Sequence, residues 1–201
     1  MASVPKTRDG LSLDEFLRLP EIDKHPYLEY LEGRVMPKVS PQFKRSALTS
    51  GFLHALDDFA VPLGLGQAFP ELRCSYAGRS TIPDLVFLLE EHIPEDESGE
   101  YLDSNPVPPD IHIEIISPRQ GGSEADEKLR HSTSHGCPIG WLVHPYRRTI
   151  DEYRPGQQPR RLPDDGVLDG APVLPGFRLP VAEVWQWMKP RRRRGDQGGP
   201  A

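Results

Sequence analysis

The chain has 201 residues, enough to bury one substantial core and too few for several large domains. Its 24 Lys and Arg against 30 Asp and Glu give a net charge of -6, which excludes a globally basic nucleic-acid binder and confines any polyanion contact to a local patch or to bound metal ions. Cys74 and Cys137 stand far apart in apolar surroundings and in no zinc-type spacing, and no stretch resembles a secretory signal or a membrane span, so a soluble cytoplasmic protein with reduced core thiols is expected.

In chain order, residues 1–10 carry no core-forming pattern and are expected to be a flexible N-terminus. Ser12 followed by Glu15 is a capping box, which predicts a short helix over 13–19, stopped by Pro20. "YLEGRVMPKV" reads as strands turning at Gly33. Phe43, Ala47, Leu48, Phe52, Ala55, Leu56 and Phe59 recur at helical spacing and predict one long amphipathic helix over 42–59, with Phe43 in its apolar stripe.

Strands are then expected over 68–76, 82–89 and 111–116, the last two separated by the acidic, proline-rich loop "EEHIPEDESGEYLDSNPVPPD". A helix over 123–135 ends at Gly136 and Pro138. "IGWLVHP" and "RRTIDEYRP" predict a hairpin, and "LPGFRLPVAEVWQW" a last strand and a short helix that packs Trp185 on the body. These elements make one α/β domain over 11–189, a central mixed β-sheet flanked by helices, followed by a disordered basic tail over 190–201. No internal repeat is present.

Two apolar strands carry carboxylates. In "PDIHIEIISP", Glu114 lies among isoleucines and shares a face with His112, because side chains alternate along a strand. In "TIPDLVFLLE", Asp84 opens an apolar run and is expected to share a face with Ile82 and Val86. If the two strands are neighbours, the two carboxylates converge, and a divalent cation between them removes their mutual repulsion. On the following helix Lys128 lies in the stripe Ala125, Lys128, Leu129, Ser132, the one face able to pack inward, so its stem can run over the sheet toward the acids. Two acids, a lysine and a hard cation suit phosphodiester hydrolysis, in which the metal polarises the phosphoryl group and acidifies a water while the ammonium meets developing negative charge.

The residues in this order resemble a known family. "IPD" before an apolar strand, "EIISP" some thirty residues on, a lysine in the next helix and then "GCPIGWLVHP" are similar to the Uma2 family of the PD-(D/E)XK nuclease superfamily. "LSLDEFLRLP", "YLEYLEGRVMPKVSP" and "LPGFRLPVAEVW" extend the likeness over most of the chain. The resemblance implies a restriction-endonuclease-like core and a divalent-metal-dependent endonuclease, with Asp84 and Glu114 as metal ligands, the backbone carbonyl of Ile115 as a third, and Lys128 as the motif lysine displaced from its usual strand position, here Ile116. It also implies Mg2+ or Mn2+ as cofactor, DNA as substrate and partner, and Glu29 as an accessory residue, and leaves a homodimer open; His112 is a candidate accessory residue because it shares the face of Glu114, with a hydrogen-bonded edge histidine as the plainer reading. Where the family has a histidine this chain has Phe43, Lys44 and Arg45, and Ser132, Ile139, Gly140 and His144 also depart from its pattern.

Plainer readings stand beside these. Asp84 after proline is also a strand-entry residue, Glu29 beside Glu32 a solvated carboxylate, and Lys128 a surface partner of Glu124 at i,i+4. Two rival functions follow: a nuclease-fold protein that no longer cuts and serves as a binding or assembly module, and a hydrolase of another phosphoester.

Overall fold

A computed structural model describes residues 10–38, 42–117 and 122–190. The expected N-terminal arm and C-terminal tail, apart from Gly10 and Pro190, lie outside the described residues.

The capping box forms: Ser12 caps helix α1 (Leu13–Leu17), and the Glu15 carboxylate accepts the Ser12 N–H at 2.8 Å. Strands β1 (Leu28–Leu31) and β2 (Arg34–Pro37) make a hairpin whose turn residues, Glu32 and Gly33, both have positive φ, as a two-residue turn matched to strand twist requires. Helix α2 (Phe43–Ala60) buries Arg45, Leu48, Phe52, Leu56 and Ala60, a stripe at steps of three and four. Phe43 is not in it. The expected stripe agrees with the buried one at Leu48, Phe52 and Leu56, and at its start the buried place belongs to Arg45, two residues after Phe43.

The expected strand over 68–76 is corrected. Glu71 takes a left-handed φ of +52°, which breaks the run into β3 (Gly66–Pro70) and β4 (Cys74–Tyr76) in two different sheets. A strand absent from the sequence reading, β5 (Arg79–Thr81), pairs with β4. Next come β6 (Leu85–Leu89), β7 (Ile111–Ile115), helix α3 (Gly122–Ser134), β8 (Ile139–His144) and β9 (Thr149–Tyr153). The short strands β10 (Arg160–Arg161) and β11 (Val167–Asp169) also had no periodic signal, and β12 (Arg178–Pro180) leads into α4 (Val181–Val184).

The main sheet runs β10-β9-β8-β7-β6-β3, mixed because β7 and β8 are parallel and joined by the α3 crossover. On one face Leu48, Phe52 and Leu56 of α2 pack on Leu85, Phe87, Ile113 and Trp141, each fully buried. Burying one such side chain contributes about 1.5–3 kcal/mol, which ties α2 to the strand ends that matter below. On the other face Ala125 and Leu129 of α3 meet Leu142 and Tyr153. A smaller sheet, β2-β1-β5-β4, is covered by α1 through Phe16. Trp185 is buried against the body as expected.

Candidate active site

Glu114 points from β7 toward α3, where Lys128 is 2% exposed and lies 3.7 Å from Glu114 Oε1. The main partner of Lys128 is Glu29 of β1, whose two oxygens accept from Nζ at 2.8 and 2.7 Å, and Glu29 also accepts the Ile82 N–H at 2.7 Å. Burial opposes charge on Lys128, yet Glu114, Glu29 and Glu124 outweigh it and hold its pKa above the ordinary lysine value. Burial likewise opposes the Glu29 carboxylate, but Lys128 and Lys38 hold it below the usual range. The surface-pair reading of Lys128 is therefore corrected. Glu124 does stand 3.6 Å away, as one of three acids around a buried ammonium.

His112 shares the face of Glu114, as alternation requires, with Nε2 3.1 Å from Glu114 Oε1 and Nδ1 2.6 Å from Ser132 Oγ. With Nε2–H turned to the acceptor carboxylate, Nδ1 is left to accept from the Ser132 hydroxyl. The Tyr76 hydroxyl follows at 2.6 Å from Ser132, so a hydrogen-bonded chain from β4 sets the orientation of the imidazole that holds Glu114.

Asp84 departs from expectation. Pro83 has no N–H to give to a ladder, β6 starts only at Leu85, and Asp84 does not stand on a face with Val86. Its carboxylate turns into the plane at the strand end, where Oδ2 accepts the Ile115 N–H at 2.8 Å. Oδ1 accepts from Lys38 at 3.1 Å and from the Arg45 guanidinium, and Lys38 also donates to the Ile82 carbonyl. Burial opposes charge on Asp84, but Lys38 and Arg45 prevail and its carboxyl sits below the ordinary range. Arg45 reaches on to Ser117 Oγ at 3.4 Å. Glu71, singled out by no spacing, lines the same cleft of about 430 Å³ as Asp84 and Arg45.

The strands of Asp84 and Glu114 are neighbours, as expected; Asp84 bonds to Arg45 of α2 and Glu114 lies against Lys128 of α3, while the charge of Arg45 acts on both acids. They belong to one network, linked through Lys38, the Ile82 main chain, Glu29 and Lys128. Lys38 and the buried position of Arg45 were missed. The three- and four-residue spacing of Arg45 to Leu48, Phe52 and Leu56 held a signal for the second; nothing in "MPKV" marked the first.

Hard oxygen donors fit this site. Ile116 N donates to Val143 O of β8, so Ile115, whose main-chain groups point the other way, presents its carbonyl toward the open end of β6. The register carries Pro83 opposite it, and proline has no N–H to offer. That leaves a main-chain acceptor beside the Asp84 carboxylate. Among the described residues no group of three or more His, Cys, Asp and Glu forms a closed metal cage, and burial raises both cysteine thiols to about 12. Such a set suits a partly hydrated Mg2+ or Mn2+ and not a thiolate-bound ion.

A mixed sheet with helices on both faces, and acids and a lysine gathered at the ends of its central strands, defines a nuclease-like α/β fold. The Uma2 family, described as "Putative restriction endonuclease", matches residues 13–182, and the chain belongs to this family. A crystal structure described as that of "a putative nuclease belonging to DUF820" from Anabaena variabilis ATCC 29413 is similar with a TM-score of 0.85 and 32% identity, over 90% of this chain and 100% of that one. No curated protein matches the sequence. No helix among the described residues is long and apolar enough to cross a membrane.

Proposed function

We propose that this chain is a divalent-metal-dependent endonuclease acting on DNA. The observation that carries the reading is the burial of Glu29, Asp84 and Glu114 with Lys38, Arg45 and Lys128 at the ends of β6 and β7. Stability alone does not call for such a cluster, since apolar residues of similar volume would serve as well or better, whereas catalytic sites do collect charged groups of this kind. Asp84, Glu114 and the Ile115 carbonyl are the residues that would hold Mg2+ or Mn2+. When bound, the ion supplies Lewis-acid charge to the phosphoryl group and lowers the pKa of a water.

The chain's own groups do the rest. Lys128, held charged by three acids, provides a fixed ammonium beside Glu114 for the negative charge that develops on the phosphate. Glu29 keeps that ammonium aimed, and His112 orients Glu114. Purified protein is expected to nick or linearise plasmid with Mg2+ or Mn2+ and to lose this in EDTA; clean wild-type protein without cleavage under any divalent ion would remove the proposal. The rival reading, a binding module that no longer cuts, is favoured by one observation: Lys38, Arg45 and Lys128 already compensate the three acids.

That compensation has a measurable consequence. Lys38 competes with any cation for Asp84, so Lys38→Met should tighten Mn2+ binding about 10- to 100-fold, the scale of one hydrogen bond to a charged group. Calorimetric titration reads the affinity directly. An unchanged value would mean that the ion does not draw on Asp84.

A further inference from the structure

The N-terminal turn of α2 leaves an aromatic ring in solvent beside the site. Phe43 is 97% exposed, although its sequence spacing marks it for the core, and Tyr146 in the β8–β9 turn is 52% exposed. Lys44 Nζ lies 4.4 Å from the Tyr146 ring centre, and the Tyr146 hydroxyl donates to Gln42 Oε1 at 3.1 Å, so the two rings are tied into one surface. Tyr146 lines two clefts at once. One, of about 630 Å³, contains Phe43 and Lys44; the other, of about 340 Å³, contains Arg147 and Ser117. Ser117 accepts from Arg45, which holds Asp84, so the track from Phe43 leads to the acid cluster. Among the described residues no carboxylate lines either cleft, on a chain whose net charge is -6.

We propose that this track binds unpaired nucleotides of a nucleic-acid strand, with Phe43 and Tyr146 stacking on bases and Lys44 and Arg147 meeting phosphates. The proposal rests on the nuclease reading and narrows it to substrates with a single-stranded stretch next to the cut. A duplex presents phosphates and base edges but no open base face, so it engages the cations and leaves Phe43 without a partner. An unpaired base offers the π-face that an exposed ring takes, independent of sequence. A protein partner fits less well, because two rings interleaved with cations do not make the contiguous apolar patch of a stable interface.

The test is fluorescence anisotropy in EDTA, using the full chain with a labelled oligothymidine of twelve nucleotides and a blunt duplex of the same length. Wild type should prefer the single strand. Phe43→Ala and Tyr146→Ala should each weaken it about 5- to 100-fold, with duplex affinity within about 2-fold of wild type. Phe43→Ala should also melt as wild type does, because its ring buries nothing. Wild-type affinity for the single strand in Phe43→Ala overturns the proposal, and so does a shift from dimer to monomer by light scattering with that affinity unchanged, which would assign the ring to contacts between copies. If wild type binds the duplex as well as the single strand and cuts it, only this inference falls. Binding to neither oligonucleotide in EDTA also overturns this inference, while the nuclease reading is decided separately by plasmid cleavage with Mg2+ or Mn2+.

Discussion

Lys128→Met is expected to lower cleavage by about a hundredfold or more, the scale of losing one electrostatic group in the transition state. Methionine keeps much of the apolar stem, so the packing of that buried stem changes little. What is lost is the ammonium between Glu29, Glu114 and Glu124. Glu29 is fully buried, and stripping its counter-charge should cost about 3–5 kcal/mol of stability at neutral pH. The sign with pH is set. Without Lys128 the Glu29 carboxyl rises from its depressed value, takes up a proton as pH falls, and the penalty relative to wild type shrinks toward pH 5. Denaturant titrations at pH 7 and pH 5, beside plasmid assays, read both effects. Glu124→Gln is the control: its partly exposed ion pair should contribute no more than about 0.5 kcal/mol. Wild-type cleavage by Lys128→Met would shift the electrostatic role onto Arg45 or Lys44.

Asp84→Asn should be the most damaging near-isosteric change in the chain. It removes the charge that faces Lys38 and Arg45, both buried, and at about 3–5 kcal/mol its stability cost should match that of Lys128→Met. It should also abolish response to metal. In wild type, Mn2+ at a hundred times its Kd should stabilise the fold by about 2.7 kcal/mol, read as a rise in Tm, because the ion binds the folded state alone. In Asp84→Asn, and in the Asp84→Asn, Glu114→Gln double variant, that rise should vanish along with cleavage. An identical Tm rise in the double variant would mark the metal effect as non-specific.

The candidate site was partly legible because strand and helix periodicity are local. Alternation alone puts His112 and Glu114 on one face, and the 3.6-residue repeat alone turns Lys128 inward with Ala125, Leu129 and Ser132. The same reasoning misplaced Asp84. Periodicity was extended back through Pro83, where the ladder does not form, and the carboxylate turned to the Ile115 N–H instead of standing on a face. Phe43 was misread for a related reason, since an apolar residue at helical spacing counts toward the stripe whether or not the sheet reaches that far.

By itself the sequence determined the α/β class, the paired apolar strands with their intruding acids, the hairpin after α3, and the inward face of the helix that carries Lys128. All of these follow from patterns within a few residues of each other. Tertiary structure alone decided which cation meets which acid: Lys128 with Glu29, 99 positions apart, and Lys38 and Arg45 with Asp84. It also decided that Glu71 splits one apparent strand between two sheets. The physical reason is that apolar burial is written as a repeat along the chain, whereas a buried ion pair is set by distance and desolvation between elements remote in sequence, and a lysine that ends a hairpin looks the same in the chain whether water or a carboxylate receives it.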